Sequence, residues 1–229
     1  MSGHRAGLLT TISCSGAVVL CVGLAGCASD QSAAYQVARS LVRPNADIDA
    51  RPLDTNLRYL RVTANGKAAL MALGYTDASP QGAPVQVWYS AMGEVLRLQQ
   101  GRLKGLTGAP VEWRTVTWPG GLPAWPEVLS HGADGPAYRR QRDEMPGYRL
   151  DLRDTLRLQP VPAPGGTELT GVPAASLRWF QETPSDGALP PARYAVDAET
   201  AEPVYGEQCL NADLCLTWQA WPPLRGGAR

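Results

Sequence analysis

Few side chains in this 229-residue chain combine types and spacings that could do covalent chemistry. It has two histidines, His4 and His131. His131 stands beside Ser130 in a Gly-rich stretch, so a Ser–His–Asp site would have to use it. No Gly-x-Ser-x-Gly elbow accompanies it, and a surface histidine is the simpler reading. Two carboxylate pairs could in principle hydrolyse a glycosidic bond: Asp151 with Asp154, and Asp197 with Glu199. Asp151 alternates with Arg149 and Arg153, as on a solvated strand face with cross-strand pairing. Asp197 and Glu199 sit in a turn. Neither metal-spaced His/Cys clusters nor phosphate-binding glycine loops occur. These residues predict a protein that is not an enzyme, with no catalytic residue, no metal site and no cofactor.

The cysteines carry a different chemistry. Leu24-Ala25-Gly26-Cys27 closes an apolar N-terminal run that follows His4 and Arg5, the pattern of a secretory signal. The tetrapeptide resembles the lipobox of bacterial lipoproteins, in which the Cys is diacylated, the signal is cut before it and the new amine is acylated. A transmembrane anchor is the competing reading, since about 20 residues suffice to span; the Gly, Ser and Thr content disfavours it. Each buried methylene contributes about 0.8 kcal/mol, so three long acyl chains hold a protein to a membrane without help. Ala28 follows Cys27 where the lipoprotein resemblance associates Asp with inner-membrane retention. The expected location is the periplasmic face of the outer membrane, lipid-anchored. Of five cysteines, Cys14 and Cys21 leave with the signal. Cys209 and Cys215 remain, and the intervening Leu-Asn-Ala-Asp-Leu suits a turn. An oxidising compartment predicts a disulfide that staples a hairpin.

Aromatic and basic residues supply the candidate binding chemistry. All seven tryptophans follow Cys27, against one Phe in the whole chain. Aromatic faces stack on sugar rings and are enriched at binding surfaces; they also fill cores. Trp88 and Trp179 lie within apolar strands and read as core. Trp118, Trp125 and Trp221 lie beside prolines at loops, so they are the candidates for exposure and for glycan or partner binding. Arg139, Arg140 and Arg142 could meet an acidic polysaccharide or lipid phosphate, but Asp143 and Glu144 follow, which reads as a solvated mixed-charge loop. Removing residues 1–26 removes one Arg and no acid, leaving 20 basic against 21 acidic residues, formally −1. That balance gives no electrostatic case for nucleic-acid binding.

These groups must be positioned by short strands. A helical stripe through Tyr35, Ala38, Leu41 and Val42 predicts a short helix at about 31–42. After Pro52 the texture is one of alternating runs with Gly-bearing turns: 57–62, 68–75, 85–90, 95–99, 102–106 and 111–118. Within the stretch 119–147, Leu122 to Leu129 could make one short helix, and Gly132, Gly135, Pro136, Pro146 and Gly147 then frame a polar, Arg-rich connection. Strands resume at Tyr148–Arg153, apolar at even positions and charged at odd ones. Asp154 breaks that alternation, which predicts a bulge or a paired carboxylate. Residues 177–181, 193–196, 203–205 and 216–218 complete a meander. The organisation expected is a signal at 1–26, lipidated Cys with tether and helix at 27–43, and one β-rich domain at 44–229.

Val87-Trp88-Tyr89-Ser90, then Glu94 to Leu98, then Gly101-Arg102-Leu103-Lys104-Gly105-Leu106-Thr107-Gly108, resemble the YjbF-type lipoproteins of group 4 capsule and exopolysaccharide clusters. Tyr194 to Thr200 followed by Glu207-Gln208 resembles the late Asp-bearing hairpin of that family. Ala201 departs from it where a turn Gly is expected. The resemblance covers most of 35–221. It implies a mainly β fold of antiparallel, coiled and bifurcated sheets forming a pseudo-barrel. It also implies a non-catalytic role in secretion or assembly of surface polysaccharide. The partners it implies are the outer membrane through the acyl chains, and an outer-membrane β-barrel or the polymer itself. The competing classes are a polysaccharide-modifying enzyme and a general envelope lipoprotein.

Overall fold

The computed structural model describes residues 48–79 and 82–223. The signal, Cys27 and the helix expected at 31–42 lie outside the described residues. Twelve strands follow one another: β1 (Tyr59–Ala64), β2 (Lys67–Ser79), β3 (Gly82–Ser90), β4 (Val95–Gln99), β5 (Arg102–Thr107) and β6 (Glu112–Thr117). Then come β7 (Ala137–Met145), β8 (Arg149–Val161), β9 (Arg178–Pro184), β10 (Ala192–Val196), β11 (Pro203–Cys209) and β12 (Cys215–Trp221). Each pairs antiparallel with its sequence neighbours, and β1 closes on β12. The predicted antiparallel β-fold is therefore one closed barrel. Closure leaves no edge strand with unpaired backbone groups. One short helix, α1 (Trp125–Ser130), interrupts the β6–β7 connection, within the segment where the sequence predicts one.

Alternation explains the inside of the barrel. Trp88 and Leu96 are paired on β3 and β4, and with Leu60, Val62, Leu156, Tyr194 and Trp218 they belong to one buried cluster. Between β5 and β6 the ladder thins to the single register pair Leu106↔Trp113. There the Lys104 ammonium donates to the Val116 carbonyl, so a side chain supplies a bond that the ladder omits.

The structure corrects two readings. Residues 137–145 form β7, not part of a solvated Arg-rich loop: Tyr138, Arg140, Arg142 and Glu144 point inward and are buried, while Arg139 is exposed. The inward stripe is polar, so it carries no hydrophobic alternation to read. At the start of β8, Tyr148 and Leu150 are exposed although the pattern makes them the apolar face; the buried face begins at Asp154 and continues through Leu156 and Leu158.

The connection 162–177 covers the outer face of β9–β11. Trp179 and Tyr205 pack there with Leu177 and Ala195. The Trp179 indole donates to the Ala174 carbonyl at 2.7 Å. Gln219 accepts from the Thr170 amide at 2.9 Å and donates to the Thr170 carbonyl at 2.6 Å. Trp179 is thus buried as expected, but outside the lumen.

Candidate functional site

The β4–β5 turn organises one end of the barrel. Gln100 and Gly101 both have positive φ, +51° and +69°, as a tight two-residue hairpin requires. A Cβ on Gly101 would lie 2.5 Å from the Pro203 side chain, so the position admits only glycine without displacing β11. The Gln100 carbonyl accepts the Trp125 indole N–H at 2.8 Å, and the Gly101 carbonyl accepts that of Trp218 at 3.0 Å. One turn therefore holds α1 and β12 in place. Behind it, the Arg102 guanidinium stacks on the Trp125 ring at 3.8 Å. Gly206 lets the Trp218 ring lie across β11, because a Cβ there would sit 2.4 Å from the ring.

A cleft of about 780 Å³ opens at this end. Its lining includes the aromatic residues Tyr59, Trp88, Trp125, Tyr205, Trp218 and Trp221, of which all but Trp221 are buried. Gln86, Gln100, Thr76 and Thr200 add neutral hydrogen-bonding groups, and the lining holds one cation, Arg58, and one anion, Glu202. Aromatic walls with a few placed polar groups are the usual makeup of a ligand site. A second, mostly apolar cavity of about 530 Å³, which includes Leu96, Leu106 and Met92, lies at the opposite mouth.

The three tryptophans expected at exposed loops separate. Trp125 and Trp221 both line the cleft. Trp221 is half-buried, beneath the Arg61 guanidinium at 5.9 Å. Trp125 is buried, with 2% of its surface accessible, because its indole is drawn to the β4–β5 turn. Trp118 is also buried: the Lys104 ammonium lies 4.9 Å over its ring. Exposure is thus corrected for Trp118 and Trp125. Trp88 and Trp218, which also line the cleft, are legible only as strand residues in the sequence.

The polar candidates do not converge. His131 is exposed, and both its Nδ1 and the Ser130 hydroxyl meet the Glu127 carbonyl, not each other. Asp151 is exposed and paired with Arg153 at 2.7 Å. Asp154 is buried and turned the other way. Asp197 caps its turn, accepting the Glu199 and Thr200 amides at 2.8 and 3.0 Å. The Thr200 and Glu199 N–H groups hold its carboxyl below the usual carboxylate range, so it is a poor proton donor. Cys209 and Cys215 form the expected disulfide, facing each other across β11 and β12. The Asn211 side chain accepts the Asp213 and Leu214 amides in the turn between them.

Asp154 is the paired carboxylate that its break in the alternation predicts, and it belongs to an ion network inside the barrel. It accepts from Arg140 Nε at 2.8 Å and Arg142 Nε at 3.1 Å. Arg140 continues to Glu182 at 3.3 Å, and Tyr138 donates to the same carboxylate. Arg142 continues to Glu144 at 2.7 Å, which also takes the half-exposed Arg149. Both inner guanidiniums lie over the Trp113 ring, at 4.7 and 4.9 Å. Burial alone would raise the Asp154 carboxyl, but the two arginines outweigh it and keep the group ionised below its ordinary range. Burial, reinforced by Glu182, pushes the Tyr138 hydroxyl well up, so it stays a donor.

No family model matches the sequence, and no curated protein matches it. Among solved structures, the chain is similar to the hypothetical lipoprotein YmcC from Escherichia coli K12. The TM-score is 0.54 and the identity 18%, over 85% of this chain and 91% of that one. At that identity the likeness establishes a shared fold over nearly the whole of both chains.

Proposed function

We propose that this chain is a non-catalytic, lipid-anchored component of surface-polysaccharide secretion or assembly. In this reading it belongs to the YjbF-type lipoproteins and is held through Cys27 at the periplasmic face of the outer membrane. Its barrel engages the polymer, or the outer-membrane protein that exports it, through the aromatic cleft. The observation that carries the reading is the cleft itself, lined at one barrel end by six aromatic residues with neutral polar groups and balanced charge. The lipobox and the fold shared with a protein described as a lipoprotein support the anchor.

The anchor and the pathway are tested together in cells. Metabolic palmitate should label the wild-type chain and not Cys27→Ser, which should leave the outer-membrane fraction. Deletion should reduce secreted polysaccharide, and wild type but not Cys27→Ser should restore it. Equal labelling of the mutant would refute the anchor; an unchanged polysaccharide yield on deletion would refute the pathway.

A further inference from the structure

Three deep indoles surround the cleft floor, and they differ in one respect. Trp125 and Trp218 spend their N–H groups on the Gln100 and Gly101 carbonyls. Trp88 also lines the cleft and has 2% of its surface accessible, yet its Nε1 has no hydrogen-bond partner. A buried donor without an acceptor bears its full desolvation cost, so each such group calls for an explanation. Across the ladders Trp88 is paired with Leu73 and Leu96, whose side chains carry no acceptor. Trp88 also lines the cleft, and that is the side on which we place the missing oxygen.

The rest of the lining says what kind of oxygen. Glutamine amides and threonine hydroxyls suit hydroxyl groups, and indole and phenol rings suit the C–H faces of a pyranose. One cation and one anion offset each other in the lining, so there is no surplus positive charge to offset a carboxylate. We infer that the cleft binds an uncharged hexose segment, with a sugar oxygen accepting the Trp88 indole N–H and a ring lying against Trp221. This rests on the cleft being the polymer-binding surface, and it adds the ligand class and the contact that reads it.

The test uses the full chain in detergent micelles, labelled with ¹⁵N in the tryptophan indoles. Substituting Trp88→Phe assigns the Trp88 resonance by its disappearance, and Trp221→Ala assigns the other. The probes are cellohexaose and mannohexaose as neutral chains and hexagalacturonate as an acidic one. A neutral hexasaccharide should shift both the Trp88 and Trp221 signals saturably, and more tightly than hexagalacturonate does. Trp88→Phe keeps an aromatic ring and loses one donor, so affinity should fall about 5–10-fold. If Trp88→Phe does not fold, Trp88→Tyr supplies the assignment, and the wild-type shifts with the loss of affinity in Trp221→Ala decide the matter. Movement of Trp221 with Trp88 unmoved would overturn the donor role and leave the cleft reading standing. Movement with hexagalacturonate alone would overturn the uncharged class. If no probe moves a cleft indole, the ligand class and the glycan-cleft reading fall together.

Discussion

At the scale of single residues, the sharpest consequence concerns Asp154. It serves two buried arginines, and removing one partner of a buried ion pair leaves uncompensated charge. Asp154→Asn should cost about 3–5 kcal/mol of stability in urea unfolding at neutral pH. The sign of the pH effect follows from the depressed carboxyl. Its contribution is fully present above the unfolded-chain value near ~3.9 and is lost as pH falls through the lower folded value. Wild type should therefore lose stability below about pH 4 more steeply than Asp154→Asn does; parallel profiles would show that the ion network does not govern acid stability. The other polar candidates should be dispensable. His131→Ala, Asp151→Asn, Asp197→Asn and Glu199→Gln should each leave polysaccharide yield within about twofold of wild type, since these side chains do not converge on one site among the described residues. Collapse of export in one well-folded member of that set would favour an enzyme.

At the scale of elements, legibility followed the hydrophobic pattern. Val85 to Ser90 alternates in sequence, and β3 is where the alternation puts it. The Cys209–Cys215 hairpin was legible because turn residues and a redox compartment agree on it. Its loop entropy assigns about 2–2.5 kcal/mol, so the double Cys→Ser variant should unfold at correspondingly lower urea, and thiol titration of wild type should find both cysteines blocked. β7 was not legible because its inward stripe is charged: a pattern of Arg, Asp and Glu reads as loop unless the partner carboxylates, which come from β8 and β9, are known. Nor was the burial of Trp118 and Trp125, since a neighbouring proline says nothing of a lysine or a carbonyl far along the chain. The β5–β6 seam has a single register pair. Hydrogen exchange should therefore be faster at β5 and β6 than at β7 and β8, and Lys104→Met should speed it further. Uniform protection around the barrel would contradict a weak seam.

At the scale of the molecule, closure of β1 on β12 brings the first and last described strands together, and with them two aromatic residues of the cleft lining, Tyr59 and Trp221. No local pattern contains that contact. The same closure makes the cleft depend on distant parts of the chain. Gly206→Ala, for instance, should displace the Trp218 ring and weaken glycan binding even though it adds only a methyl group. On the proposed function, a lipid-anchored barrel that binds through its cleft should lose function in increments as the cleft is eroded. The measurement that tests this most directly is the yield and chain length of secreted polysaccharide in a deletion strain carrying Trp221→Ala, Trp88→Phe or the pair. We predict that yield falls stepwise, with the pair lowest, while chain length is unchanged; full yield from the folded pair, or chains altered in length at normal yield, would contradict a cleft that binds the polymer without processing it.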